Sequence, residues 1–192
     1  MSKLDLLTGP HLRLRPKRLT DAPNDYAWRH DPELSRLDAA SPLECTFGEF
    51  VVYYGEALYD SDDPWRFAVE TLGEDKHIGN IALYNLDRRR KEAEFGIMIG
   101  DPAYQDRGYG REATGLMLGL AFRNGEFDRV YLKTLEWNGR AMRSFAAAGF
   151  VPCGKRVTGD HKFLLMEIRR EAYERARKET EESIPTLIPP VD

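Results

Sequence analysis

The chain has 192 residues, of which 42% are hydrophobic and 31% charged, with a formal net charge of −4. These values suit one soluble globular domain with a full hydrophobic core, and they exclude the basic excess behind general nucleic-acid binding, so nucleic acid is not an expected partner. No apolar run approaches the roughly 18 residues of a membrane span, and Met1 to Lys17 lacks the apolar core of a signal peptide, so the expectation is a cytoplasmic protein without membrane contact.

His11 to Arg15 alternates, with Leu12 and Leu14 on one side, and reads as a first strand. Thr20 and Asp21 open a helix. Thr46-Phe47-Gly48-Glu49 has the form of a capping box, and Phe47, Phe50, Val51, Tyr54 and Leu58 recur at helical spacing, so a second helix runs to about Leu58, ahead of the acidic Asp60, Asp62 and Asp63. From Trp65 the period changes to two: Trp65, Phe67 and Val69, then Ile78 to Leu86, then Glu94 to Gly100 read as neighbouring antiparallel strands. Arg88-Arg89-Arg90-Lys91 falls between the last two and reads as a solvated hairpin tip. Gly110 to Phe122 is a helix whose stripe of Ala113, Leu116, Met117, Leu120 and Ala121 packs on a sheet. Val130 to Leu135 is a strand, Gly139 to Ala148 a helix, and Val151 to Val157 with Lys162 to Ile168 a hairpin around Gly159-Asp160. Residues 1–169 form the expected single domain. Arg170 to Glu182 reads as an appended charged helix, and the Pro-containing apolar tail from Ile184 to Val191 as either disordered or docked on a second copy in a homodimer.

Cys45 and Cys153 make neither a disulfide framework nor a metal motif, and His11, His30, His77 and His161 lack metal-ligand spacing, so no metal is expected. Between the strand ending at Gly100 and the helix of Gly110 lies Gln105-Asp106-Arg107-Gly108-Tyr109-Gly110. A glycine-spaced turn that opens a helix offers unpaired N–H groups and the positive end of the macrodipole to an anion. A nucleotide P-loop needs Lys-Ser/Thr after its last glycine, whereas Arg111-Glu112 stands here, and G-x-G-x-x-G is incomplete. A second segment follows at Asn138-Gly139-Arg140-Ala141, Phe145 and Gly149-Phe150: Asn138 is a good N-cap, Ala141, Phe145 and Ala148 share a face, and Gly149 suits the helix end.

The Q-x-x-G-x-G loop, together with Asn138, Ala141, Phe145 and Gly149-Phe150 at their offsets, resembles the acetyl-CoA site of the GNAT N-acetyltransferase superfamily. The resemblance implies an α/β fold, β-α-α-β-β-β-α-β-α-β-β, with a mostly antiparallel sheet of about seven strands splayed between the fourth and fifth. It implies acetyl-CoA as cosubstrate, held by Gln105, Asp106, Arg107, Gly108, Tyr109, Gly110, Asn138 and Phe145 and by the backbone of Met98 and Ile99, where a bulge or splay frees amide groups. It further implies direct attack of an amine acceptor on the thioester. Phe145 stands where many members carry a Tyr that protonates the leaving thiolate, leaving Ser144, Tyr109, Cys153 or water for that task. Glu94 is the expected base, ahead of Glu92 and Glu112. His11 to Arg15, Leu19-Thr20-Asp21, Trp28 to Glu33 and Tyr104 to Ala113 resemble the ribosomal-protein N-terminal acetyltransferase branch. A noncatalytic acyl-CoA-binding module and a nucleotide-binding protein are the alternatives from other classes.

Overall fold

A computed structural model describes residues 7–59, 65–123 and 125–182. Strands β1 (Leu12–Pro16), β2 (Arg66–Thr71), β3 (His77–Asp87), β4 (Glu92–Ile99), β5 (Arg129–Leu135), β6 (Val151–Thr158) and β7 (His161–Arg169) form one sheet in the order β1-β2-β3-β4-β5-β7-β6. All neighbours are antiparallel except β4 and β5. The helices are α1 (Ala22–His30), α2 (Pro32–Leu37), α3 (Phe47–Tyr59), α4 (Tyr109–Arg123), α5 (Gly139–Ala147) and α6 (Arg170–Glu182), with 3-10 turns at Leu19–Asp21 and Pro102–Tyr104. The acidic Asp60 to Asp63 and the tail from Ile184 to Val191 lie outside the described residues.

The period-two pattern sorts the sheet into two faces. Leu12, Leu14, Val69, Ile81, Leu83, Phe95, Val130 and Leu132 join Ala113, Met117 and Leu120 of α4 in the main core. Arg13, Arg15 and Glu70 point the other way, where Asp21 and α1 meet them.

The first helical region divides in two. The helix opened at Thr20-Asp21 breaks at Asp31, whose extended backbone (φ −72°, ψ 121°) is what the residue before a proline favours. Pro32 then starts α2, capped by the Asp31 carboxylate, which accepts the Leu34 N–H at 2.9 Å. The second helix holds its capping box: Glu49 Oε2 accepts the Thr46 N–H at 2.8 Å. Helix α6 continues from β7 and docks through Tyr173, whose ring lies 5.3 Å from that of Phe122.

β4 and β5 pair only at Glu92, Ala93 and Glu94. Beyond Glu94 the strands diverge, and the β4 backbone facing β5 no longer belongs to a ladder. The family resemblance implies a bulge or splay on β4; the splay is there, but the extra residue belongs to β3, between Tyr84 and Asp87, where Asn85 takes φ 50°.

Candidate active site

The splay opens a cleft of about 460 Å³. One wall is β4 from Phe95 to Ile99, and the other is Lys133, Thr134 and Leu135 of β5. The glycine loop and α5 close one end, with Gln105, Asp106, Gly108, Gly110, Asn138, Ser144 and Phe145 all lining it. Arg107 and Tyr109 do not line it; Tyr109 stacks edge-on against Tyr104 with ring centroids 5.5 Å apart.

Loop and helix geometry follow from the residues. Gly108 takes φ +87°, a conformation that costs glycine nothing, and Asp106 the φ +56° that Asp tolerates better than most residues. The chain thereby turns from the 3-10 turn into the 15 residues of α4, whose first N–H groups have no helical acceptor. Gln105 ties the loop down: its Nε2 donates to the Ile99 carbonyl at 2.8 Å, and its Oε1 accepts from Arg140 at 2.6 Å. Arg111, Arg140 and Arg143 bring three guanidinium groups to this end of the cleft. Asn138 caps α5 by accepting the Ala141 N–H at 3.1 Å. A helix start, three cations and vacated strand backbone suit an elongated ligand that carries phosphates and amides.

Of the hydroxyl and thiol groups considered as acids, Ser144 lines the cleft, whereas Cys153 is exposed and, like Tyr109, lies off it. Phe145 packs edge-on against Phe95 and Phe150, at 6.1 and 6.0 Å between centroids.

The carboxylates divide sharply. Glu112 accepts the His11 and Leu12 N–H groups at 2.9 and 3.1 Å and pins β1 to α4. Glu92 pairs with Arg129 at 2.7 Å. Glu94 is 6% exposed and is engaged by the Tyr84 hydroxyl at 3.2 Å, the Asn85 amide at 2.8 Å and Lys133 Nζ at 3.5 Å. Tyr84 and Lys133 line the cleft, and Glu94 stands behind them. Burial, reinforced by the Glu94 charge, pushes the Tyr84 phenol up, so it stays protonated and donates.

A fourth carboxylate, Asp38, was missed by the sequence reading. It follows α2 and lines the cleft beside Leu34 and Leu37. The signal that could have found this wall was Asp31-Pro32-Glu33, an N-cap followed by proline and an acid in the first turn. Among the described residues no cluster of three metal-ligating side chains occurs, and no helix is long and apolar enough to cross a membrane. The basic run of the hairpin is met by acids: Arg88 bonds Glu126 at 2.9 Å, and Lys91 lies 3.9 Å from Asp128.

The model of the acetyltransferase (GNAT) domain matches residues 11–151, most of the chain and every wall of the cleft except Phe163. The chain belongs to the GNAT acetyltransferase family. It is therefore an acyltransferase with the GNAT fold. An N-acetyltransferase 9-like protein of Caenorhabditis briggsae is 27% identical over 161 residues, covering 78% of each chain. The fold is shared with a spermidine N-acetyltransferase of Vibrio cholerae, solved with CoA and spermine (TM-score 0.75, 23% identity, 86% of this chain and 99% of that one). It is shared also with an aminoglycoside acetyltransferase solved with coenzyme A (TM-score 0.70, 19% identity, 86% and 99%). None of these three is a ribosomal-protein acetyltransferase, so the branch suggested by the sequence gains no support from them.

Proposed function

We propose that this GNAT protein moves an acetyl group from acetyl-CoA to a primary amine by direct attack within a ternary complex. The observation that carries the reading is the single cleft with two unlike ends. One end has the α4 N-terminus and three guanidinium groups, suited to the pyrophosphate, with Met98 and Ile99 offering backbone to the pantetheine arm. The other end presents Asp38, Tyr84 and Lys133, with Glu94 behind them, to the acceptor. Bound acetyl-CoA supplies the thioester; the protein aligns it, excludes water and handles the amine's proton. Phe145 contributes packing and no proton. This is tolerable because a thiol with a pKa near roughly 8.5 leaves as thiolate without a strong acid, with Ser144 or water at hand.

Amine acceptors are favoured by the carboxylates at the acceptor end, and both CoA-bound structures of shared fold come from enzymes named for amine substrates. Protein N-termini, the acceptors of the branch suggested by the sequence, stay within this class. The test is release of free CoA thiol from acetyl-CoA in the presence of spermidine, an aminoglycoside, amino acids or peptides of varied N-terminus. Turnover above hydrolysis with one of these is the expected result. CoA binding without turnover across the panel would instead support a noncatalytic acyl-CoA module.

A further inference from the structure

The carboxylates considered as bases are already committed, with one exception. Glu92, Glu94 and Glu112 each hold a cation or a backbone N–H. The Asp38 carboxylate makes no hydrogen bond or ion pair with any described residue, although it lines the cleft. Its backbone is held in an unusual way. Ala39, the next residue, takes φ 53°, a left-handed conformation that a side chain disfavours and that is retained where surrounding structure imposes it. The Ala40 N–H then bonds back to the Ser35 carbonyl at 2.9 Å, closing the end of α2 and fixing the direction in which Asp38 leaves it.

From this placement, and on the amine-acetyltransferase reading above, we infer that Asp38 is the proton acceptor for the attacking amine. Three charged or titratable groups face it, Arg29 of α1, Tyr84 of β3 and Lys133 of β5, and Glu94 of β4 stands behind Tyr84. Protein packed around the open cleft raises the Asp38 pKa by desolvation, and Arg29 and Lys133 oppose this only in part. Asp38 is nonetheless exposed, on the wall of the cleft. A carboxylate whose pKa is raised while it stays open to the cleft is a stronger base than a free one.

The acceptor ammonium gives one proton to Asp38 and becomes a neutral amine. Its nitrogen lone pair forms the C–N bond at the thioester carbonyl carbon, the C–S bond breaks, and the sulfur leaves with the electron pair. The second nitrogen proton passes to the thiolate directly or through water, and Asp38 returns its own proton to solvent.

Two small probes separate this role from a structural one. Ethylamine is almost wholly protonated at neutral pH and needs a proton acceptor, whereas aminoacetonitrile is already neutral. Asp38→Asn is expected to lower kcat/KM for ethylamine by roughly 100-fold and to move the acid limb of its pH profile up toward the amine's own pKa, roughly 10.4 for an alkylammonium. The same variant should change aminoacetonitrile turnover by no more than about 3-fold, a small loss beside the 100-fold or more expected of a missing acid–base group. CoA affinity should be unaltered, and Asp38→Glu should recover part of the ethylamine rate. Equal loss with both amines, or no loss with either, overturns the inference. A wild-type protein that binds CoA but acetylates neither probe removes the transferase reading itself, and the role of Asp38 with it.

Discussion

Asn138 spends one oxygen on the Ala141 N–H, and the same side chain lines the cleft. The two tasks separate by substitution. Asn138→Ala should cost about 1 kcal/mol of stability through the lost cap and also weaken CoA binding, whereas Asn138→Asp keeps a capping oxygen, holds its melting temperature and weakens CoA by adding negative charge. Thermal melts beside CoA titrations of both variants check this. Glu94, buried behind Tyr84 and Lys133, has a positioning role in this arrangement. Glu94→Gln keeps an oxygen for its donors and should lower ethylamine turnover by less than about 10-fold, against the roughly 100-fold of Asp38→Asn. Stopped assays with both variants decide between the two carboxylates, and a larger loss for Glu94→Gln would return the base to β4.

At the scale of elements, the cleft depends on how closely β3 and β4 approach before β5 departs. Gly79 of β3 sits against the Met98 carbonyl, and a Cβ there would run into backbone, which has no rotamer to yield. Gly79→Ala should therefore cost roughly 1–3 kcal/mol and lower the melting temperature by about 5 °C. Because Met98 and Ile99 form the strand wall of the cleft, CoA affinity should fall with it, a result that melts and titration on the same preparation would show. The bulge in β3 acts on the other side of the same pair: it turns the Asn85 amide onto Glu94, which holds Tyr84 and Lys133 at the acceptor end. The residues of α4 that pack and those that start the helix were readable as a stripe and a glycine turn. The break that makes α2 was written only as a proline after an N-cap residue, and its consequence for Asp38 depends on how the following turn closes.

For the molecule as a whole, the face opposite the main core is held by charge. Arg15 donates to Glu70 and to both Asp21 oxygens, at 2.8 and 2.7 Å for the latter, and Arg13 also reaches Glu70. Both carboxylates are 2% exposed. Desolvation alone would push their pKa values up, but the guanidinium groups, with the Arg18 N–H on Asp21, outweigh it and hold both below normal. Since the folded values lie under the unfolded ones of about 3.9 and 4.3, this stabilisation is complete above roughly pH 5 and is lost as pH falls below 4 through the folded values. Arg15→Met leaves two buried acids short of their partner. A loss of about 3–5 kcal/mol at neutral pH is expected, with the acid limb of the melting-temperature profile displaced to higher pH because burial then dominates. Melts from pH 3 to 8 on both proteins test this.

The sequence by itself determined the order of the strands and of every helix except α2, the main core face, the glycine turn ahead of α4 and the Asn138 cap, because each is a local matter of period, backbone freedom or capping chemistry. It did not sort the acids. Glu92, Glu94, Glu112 and Asp38 are alike as letters, and their roles separate only when strands distant in the chain bring Arg129, Lys133 and the His11 N–H to three of them and leave the fourth facing the cleft. The tertiary structure decided that, because a carboxylate's basicity is set by the charges and solvent around it, and those arrive from elsewhere in the fold.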